Sequence, residues 1–231
     1  MSRPNVVVVK DALEAARVAA DIIARIVRDK PTAALLVATG NTPLPAYAEL
    51  ARRAENGEVD FSRVLAVQLD EYVGLEEDDP RSLWRWTRRS FVDPLGVTRT
   101  LRLVDVTTFD DDIAKVGGLD LAVLGLGPNG HLGFNEPPCD EHAKTREVDL
   151  TPESLVSNAR YFDLPVPTRA RTAGMTTILS AREKLLIVTG AHKRRILART
   201  LDEVSSRDVP ASWLRGEDTT VVADEEARPR D

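Results

Sequence analysis

Apolar residues gather along this chain in short runs at 6–9, 34–37, 64–69, 121–126, 185–188 and 220–223. Runs of that length without polar alternation predict strands buried on both faces. Stretches of helical period separate several of them. Residues 11–28 place Leu13, Ala16, Ala20, Ile23 and Val27 at three- and four-residue spacing, with Asp11 as N-cap and Glu14 three residues on. That combination reads as a capped amphipathic helix covering one face of a sheet. Further helices are expected at about 43–53, 81–91 and 192–204, with shorter ones at 111–116, 152–158 and 211–214. Alternating strand and helix predicts an α/β fold: one domain with a doubly wound, mostly parallel, Rossmann-like sheet and helices on both faces, spanning 1–224, followed by a short tail at 225–231.

In such sheets ligands bind beyond the carboxyl ends of the strands. Three runs end in unusual polar sequence there: A-T-G-N-T-P after Val37, D-E-Y after Leu69, and G-P-N-G-H-L-G-F-N-E-P after Leu126. In the first, Thr39, Gly40, Asn41 and Thr42 lead into Pro43, with Thr42 suited to cap a helix and Pro43 to start it. A helix N-terminus reached through a glycine loop offers free N–H groups to a phosphate. In the second, alternation sends Asp70 and Glu71 to opposite sides, and Asp70 is better placed to enter the crevice as a general base. In the third, four glycines surround His131, with Asn129 and Glu136 close by; a carboxylate at Glu136 would hold the histidine tautomer or stabilise its charged form. Arg160 and Lys193 are candidate anion ligands. Cys139, without an adjacent base other than His142, is expected to be inert, and Trp84, Trp86 and Trp213 to be packing residues.

Composition narrows the partners. A net charge of -6, from 37 acids against 31 bases, gives no general attraction for nucleic acid or anionic membrane. The acidic stretches at 76–80, 110–112 and 224–231 read as solvated loop or frayed end. A single cysteine and three dispersed histidines form neither a disulfide nor a zinc pattern. The start of the chain runs from residues 6–9 directly into a charged helical pattern, so a cytoplasmic address is expected.

T-G-N-T-P at 39–43, L-D-E-Y-V-G-L at 69–75 and G-H-L-G-F-N-E-P at 130–137 together resemble the glucosamine-6-phosphate deaminases. The N-E-P ending separates these from the related 6-phosphogluconolactonases. The resemblance implies that Asp70 moves the C2 proton, that His131 supported by Glu136 opens the sugar ring, and that Thr39 to Thr42, Arg160 and Lys193 hold the phosphate. It implies no metal and no redox cofactor. Asn129 departs from the family, many of whose members carry aspartate there, so Glu136 is left to bear the charge on His131. The 101–119 connection is shorter than the family's usual crossover. Where hexameric members bind an N-acetylated effector through serine, arginine and lysine, this chain has Cys139, Arg146 and Val148, which predicts no such control and a monomer or small homo-oligomer rather than a hexamer. Lactone hydrolysis and a catalytically weak sugar-phosphate sensor remain as alternative readings, and glucosamine is not distinguished from galactosamine.

Overall fold

The computed structural model describes residues 2–159, 164–202 and 204–230. Seven strands, β1 (Asn5–Val9), β2 (Ala34–Val37), β3 (Leu65–Gln68), β5 (Arg99–Leu101), β6 (Leu121–Gly125), β9 (Glu183–Val188) and β10 (Thr219–Asp224), form one parallel sheet in the order β1-β10-β9-β6-β2-β3-β5. All six apolar runs lie in it. The chain builds outward from β2 through β3 to β5, then returns to place β6 on the other side of β2. That reversal opens a crevice between the carboxyl ends of β2 and β6, the switch point of a doubly wound sheet.

Two apolar layers cover the sheet. On one face α1 (Ala12–Asp29) and α2 (Leu44–Glu55) pack their buried Ala16, Ala20, Ile23, Tyr47 and Leu50 over Leu35, Val37 and Val123. Tyr47, Phe61 and Phe91 stack edge to face there, with centroids 5.0 and 6.1 Å apart; each such side chain contributes about 1.5–3 kcal/mol by burial. On the other face α4 (Phe109–Lys115), α6 (Met175–Leu179) and α7 (Arg194–Asp202) supply Phe109, Ile113, Ile178 and Leu197. Asp11 accepts from Glu14 N at 2.9 Å and Glu14 reaches back to Lys10 N at 2.8 Å, so the capping motif starts α1 as expected. Leu13 does not join the buried stripe, being 58% exposed; the apolar face runs through Ala15, Ala16, Ala19, Ala20 and Ile23 instead.

A second sheet was not expected. β4 (Asp70–Tyr72), β7 (Arg146–Asp149) and β8 (Arg169–Thr172) pair antiparallel in the order β4-β8-β7, with Asp70 opposite Thr172. These strands are short and polar, and no apolar run marks them. The expected 81–91 helix is α3 (Leu83–Thr87) continuing into a wider π turn at Arg88–Val92. The crossover between β5 and β6 does hold only the short α4. Residues 152–158 form α5 (Pro152–Asn158) as expected, with Thr151 capping Ser154 N at 3.2 Å. The 192–204 helix begins as a tight 3-10 turn at Ala191–Lys193 ahead of α7, and Pro210–Trp213 is a 3-10 turn rather than an α-helix.

The acidic stretches are more engaged than loops need be. Asp110 accepts from the hydroxyls of Thr145 and Thr177, the latter at 2.6 Å, and so ties α4 to the base of α6. Asp224 accepts Gly190 N at 3.0 Å, and the chain then turns back so that Ala227 is buried.

Candidate active site

Thr39, Gly40, Asn41 and Thr42 after β2, Asp70 at the start of β4, His131 in the glycine loop after β6, and Lys193 before α7 line one cleft at the sheet's switch point. Asn129 and Glu136 stand behind His131. Arg160 lies outside the described residues. Residues far apart in sequence thus meet because each ends or follows a strand of the sheet.

Asp70 is reached through a change of sheet. β3 ends at Gln68, Leu69 carries the chain across, and Asp70 opens β4. Gln68 braces this bend: its Nε2 donates to Asp70 O at 2.9 Å while its Oε1 accepts Leu103 N at 3.1 Å. Asp70 lines the cleft and Glu71 does not, as alternation requires. Burial, then the charge of Glu71, push the Asp70 carboxyl up to about 7, and the Thr39 hydroxyl only partly offsets them. Its Oδ1 has no partner among the described residues. A buried carboxylate oxygen without a partner is costly, and such groups concentrate where a ligand completes the set.

His131 is fixed from behind. Its Nδ1 donates to Asn129 Oδ1 at 2.8 Å and faces Glu136 Oε1 at 3.1 Å. Asn129 Nδ2 in turn donates to Glu136 Oε2 at 2.6 Å, which sets the amide so that its oxygen faces the ring. Both neighbours of Nδ1 are acceptors, so the proton resides on Nδ1 and Nε2 is left as the basic nitrogen. Burial works to raise the Glu136 carboxyl, but His131, with Ser154 and Asn129, outweighs it and holds the group down at about 2. Glu136 is therefore a carboxylate at neutral pH. A side chain at Gly127 would lie 2.3 Å from the imidazole, so only glycine leaves room for this ring. Gly133, at φ +58°, brings the loop against β8, where Phe134 N donates to Thr172 Oγ1 at 3.1 Å.

The entry to α2, which also lines the cleft, differs from expectation. Pro43 itself occupies the N-cap, and no side chain, Thr42 included, caps the helix. The first N–H groups of α2 are left for another acceptor. Burial pushes Lys193 below the usual ammonium range, and no carboxylate pairs with it among the described residues.

Several cleft residues were not foreseen. Trp86, read as a packing residue, lines the cleft with Tyr72, Leu83 and Phe134 as an apolar wall, and Asn158 at the end of α5 closes it. Ser154, on the same helix, donates to Glu136 Oε1. A helix that touches both the histidine relay and the cleft was visible as a helix, but its direction was not. Trp84 is core, as expected. Cys139 is buried and its thiol is pushed up by that burial, against the opposing pull of Arg146; its basic neighbour is Arg146, with Nη2 at 3.6 Å, and not the exposed His142.

A strand-end cleft holding a buried carboxyl pushed up to about 7 and a histidine fixed from behind by an amide and a carboxylate is the arrangement of an acid–base enzyme. The chain belongs to the glucosamine-6-phosphate isomerase/6-phosphogluconolactonase family, whose profile matches residues 10–223. It is 42% identical to the glucosamine-6-phosphate deaminase of Rhodopirellula baltica over 225 residues, 92% of this chain and 89% of that protein. It is 36% identical to the deaminase of Halothermothrix orenii over 236 residues, covering 96% and 98%. Among solved structures, a monomeric glucosamine-6-phosphate deaminase superposes with a TM-score of 0.92 at 33% identity, covering 96% and 98% of the two chains. The 6-phosphogluconolactonase of Trypanosoma cruzi shares the fold, with a TM-score of 0.77 at 18% identity.

Proposed function

We propose that this enzyme converts glucosamine 6-phosphate and water to fructose 6-phosphate and ammonia, with Asp70 and His131 as its two proton-transfer groups. The observation that carries this reading is the pairing, in one cleft, of a buried carboxyl at about 7 with a histidine relay of its own. Lactone hydrolysis needs no base for a carbon-bound proton, whereas an aldose–ketose shift does.

The sugar enters as a ring whose C2 proton is not acidic. His131 Nε2 takes the proton from the C1 hydroxyl and returns it to the ring oxygen, breaking the C1–O5 bond and leaving an open-chain aldehyde. Glu136 stabilises the imidazolium in between, and Asn129 keeps Nδ1 protonated throughout. Asp70 then removes the C2 proton; the electron pair forms the C1–C2 double bond, and the aldehyde oxygen takes a proton from the substrate's own ammonium group, giving an enolamine. Protonation of C1 by Asp70 moves the double bond to C2–N, and water hydrolyses this ketimine to the ketone and ammonia. A base near pH 7 suits both halves, because it is partly ionised at neutral pH yet basic enough to attack carbon. In this reading the phosphate meets the Thr39 to Thr42 loop, the uncapped α2 N-terminus and Lys193, all of which border the cleft.

A monomer or small homo-oligomer and a cytoplasmic address belong to the same proposal. The relative described as monomeric supports the first, and a single buried thiol at Cys139 is compatible with the second. The test is product analysis with glucosamine 6-phosphate, galactosamine 6-phosphate and 6-phosphogluconolactone in parallel. Ammonia and fructose 6-phosphate released in equal amounts from the first are expected; lactone turnover without ammonia would contradict the reading.

A further inference from the structure

Glu71 follows Asp70 directly and takes no part in the cleft, yet its buried carboxylate accepts five hydrogen bonds. Oε1 takes Tyr72 N and Leu83 N, both at 2.9 Å. Oε2 takes Gln68 Nε2 at 3.1 Å, Ser82 Oγ at 2.9 Å and Trp84 N at 2.8 Å. Among the described residues no lysine, arginine or histidine pairs with it, and Arg171, opposite it on β8, is engaged by Glu147 at 3.1 Å. A glutamine would offer one acceptor oxygen and turn an NH2 group toward these donors, so the surroundings select a carboxylate. The bridge between β4 and α3 therefore sets a carboxylate next to a second acid, where a buried negative charge is costly.

Among the described residues the charged and titratable groups around Asp70 are few, and Tyr72 on the same strand lines the cleft with it. Glu71 comes from its own strand, Tyr47 from α2 with its hydroxyl bonded to Ala38 O at 3.0 Å, His131 from the glycine loop and Lys193 from the turn before α7. Thr39 and Thr172 are neutral. Glu71 is the anion of this set.

We propose that Glu71 is a positioning residue for the reaction, fixing the Asp70 main chain against the start of α3 and holding an unpaired negative charge beside the base. The inference rests on Asp70 being that base. The charge makes Asp70 slow to surrender a proton once it has one, which suits a group that must carry the proton from C2 to C1 instead of losing it to water.

The test is Glu71→Gln in the full chain, labelled with 13C at the aspartate carboxyls. The Asp70 resonance, assigned by its loss in Asp70→Asn, is titrated, and the pH profile of kcat/KM is recorded. The Asp70 midpoint and the acid limb should move down together by roughly 1–2 pH units, with KM at pH 8 within about threefold. An unmoved midpoint in the folded variant overturns the proposal. Should Glu71→Gln fail to fold, Ser82→Ala removes one donor and keeps the charge; the midpoint should rise by roughly 0.3 pH unit, and no rise overturns it. The NMR titration needs no turnover. A wild-type protein that releases no ammonia would therefore fail the deaminase reading alone, and a static Asp70 signal would fail this one alone.

Discussion

Asn129 Nδ2 donates to Glu136 Oε2 at 2.6 Å, so the amide serves two masters, presenting its oxygen to His131 and its nitrogen to the carboxylate that backs the same ring. An aspartate there would set two carboxylate oxygens against each other at that separation, and one proton would have to be shared between them. Asn129→Asp is expected to raise the folded-state pKa of the pair above its unfolded value. The variant should then match the wild type in stability near pH 4 and lose about 1–3 kcal/mol as pH rises to 8. Urea unfolding at both values checks this, and an unchanged difference between them would count against the relay as drawn.

Gly133 is held close to the base. A methyl group there would lie 2.8 Å from Thr172 Oγ1 and 3.5 Å from Asp70 Oδ2, at a φ of +58° that side chains avoid. Gly133→Ala should destabilise the fold by about 1–3 kcal/mol. It should also lower kcat by at least about tenfold, through displacement of Asp70 rather than loss of any reacting group. Thermal unfolding together with steady-state kinetics separates the two effects.

Asp70 opposes stability where it supports chemistry. Its folded-state pKa, about 7, lies above the ordinary aspartate value of 3.8, so between these values the folded chain binds more protons than the unfolded one. Stability contributed by this group is present in full below about pH 4 and is lost as pH rises through 7. Asp70→Asn removes that loss. The variant should be more stable than the wild type at pH 8 by a margin on the order of 3 kcal/mol, and the margin should vanish near pH 4. Paired melting curves at the two values check it.

Lys193 lines the cleft, and in the proposed reading it holds the phosphate rather than a reacting carbon. Lys193→Gln should raise KM by about tenfold or more while kcat changes by less than about threefold, the signature of lost uniform binding. A fall confined to kcat would place the lysine at the chemistry instead.

Much of this site could be read from the sequence, because buried parallel strands are written as apolar runs and their carboxyl ends as abrupt polar interruptions. Thr39, Asp70, His131 and Lys193 are each the close sequel of such a run, and the order of the runs places them at one crevice. The antiparallel sheet was not legible. Arg146–Asp149 and Arg169–Thr172 are too short and too polar to carry a period, and their pairing with Asp70–Tyr72 is decided by distant partners. Thr42 looked like a helix cap, but Pro43 takes that position and leaves the N–H groups open. Trp86 and Asn158 are ordinary helix residues until the rotation of α3 and α5 against the cleft is known, and rotation is a property of packing.

The role of Asp70 as the C2 base is tested most directly by assaying Asp70→Asn with glucosamine 6-phosphate deuterated at C2. The wild-type enzyme should release ammonia and fructose 6-phosphate. The deuterated sugar should turn over more slowly than the protonated one where proton abstraction limits turnover, and the variant should fold and bind but be slower by about 10²–10⁴. A folded Asp70→Asn that retains a tenth or more of wild-type ammonia release would contradict that role.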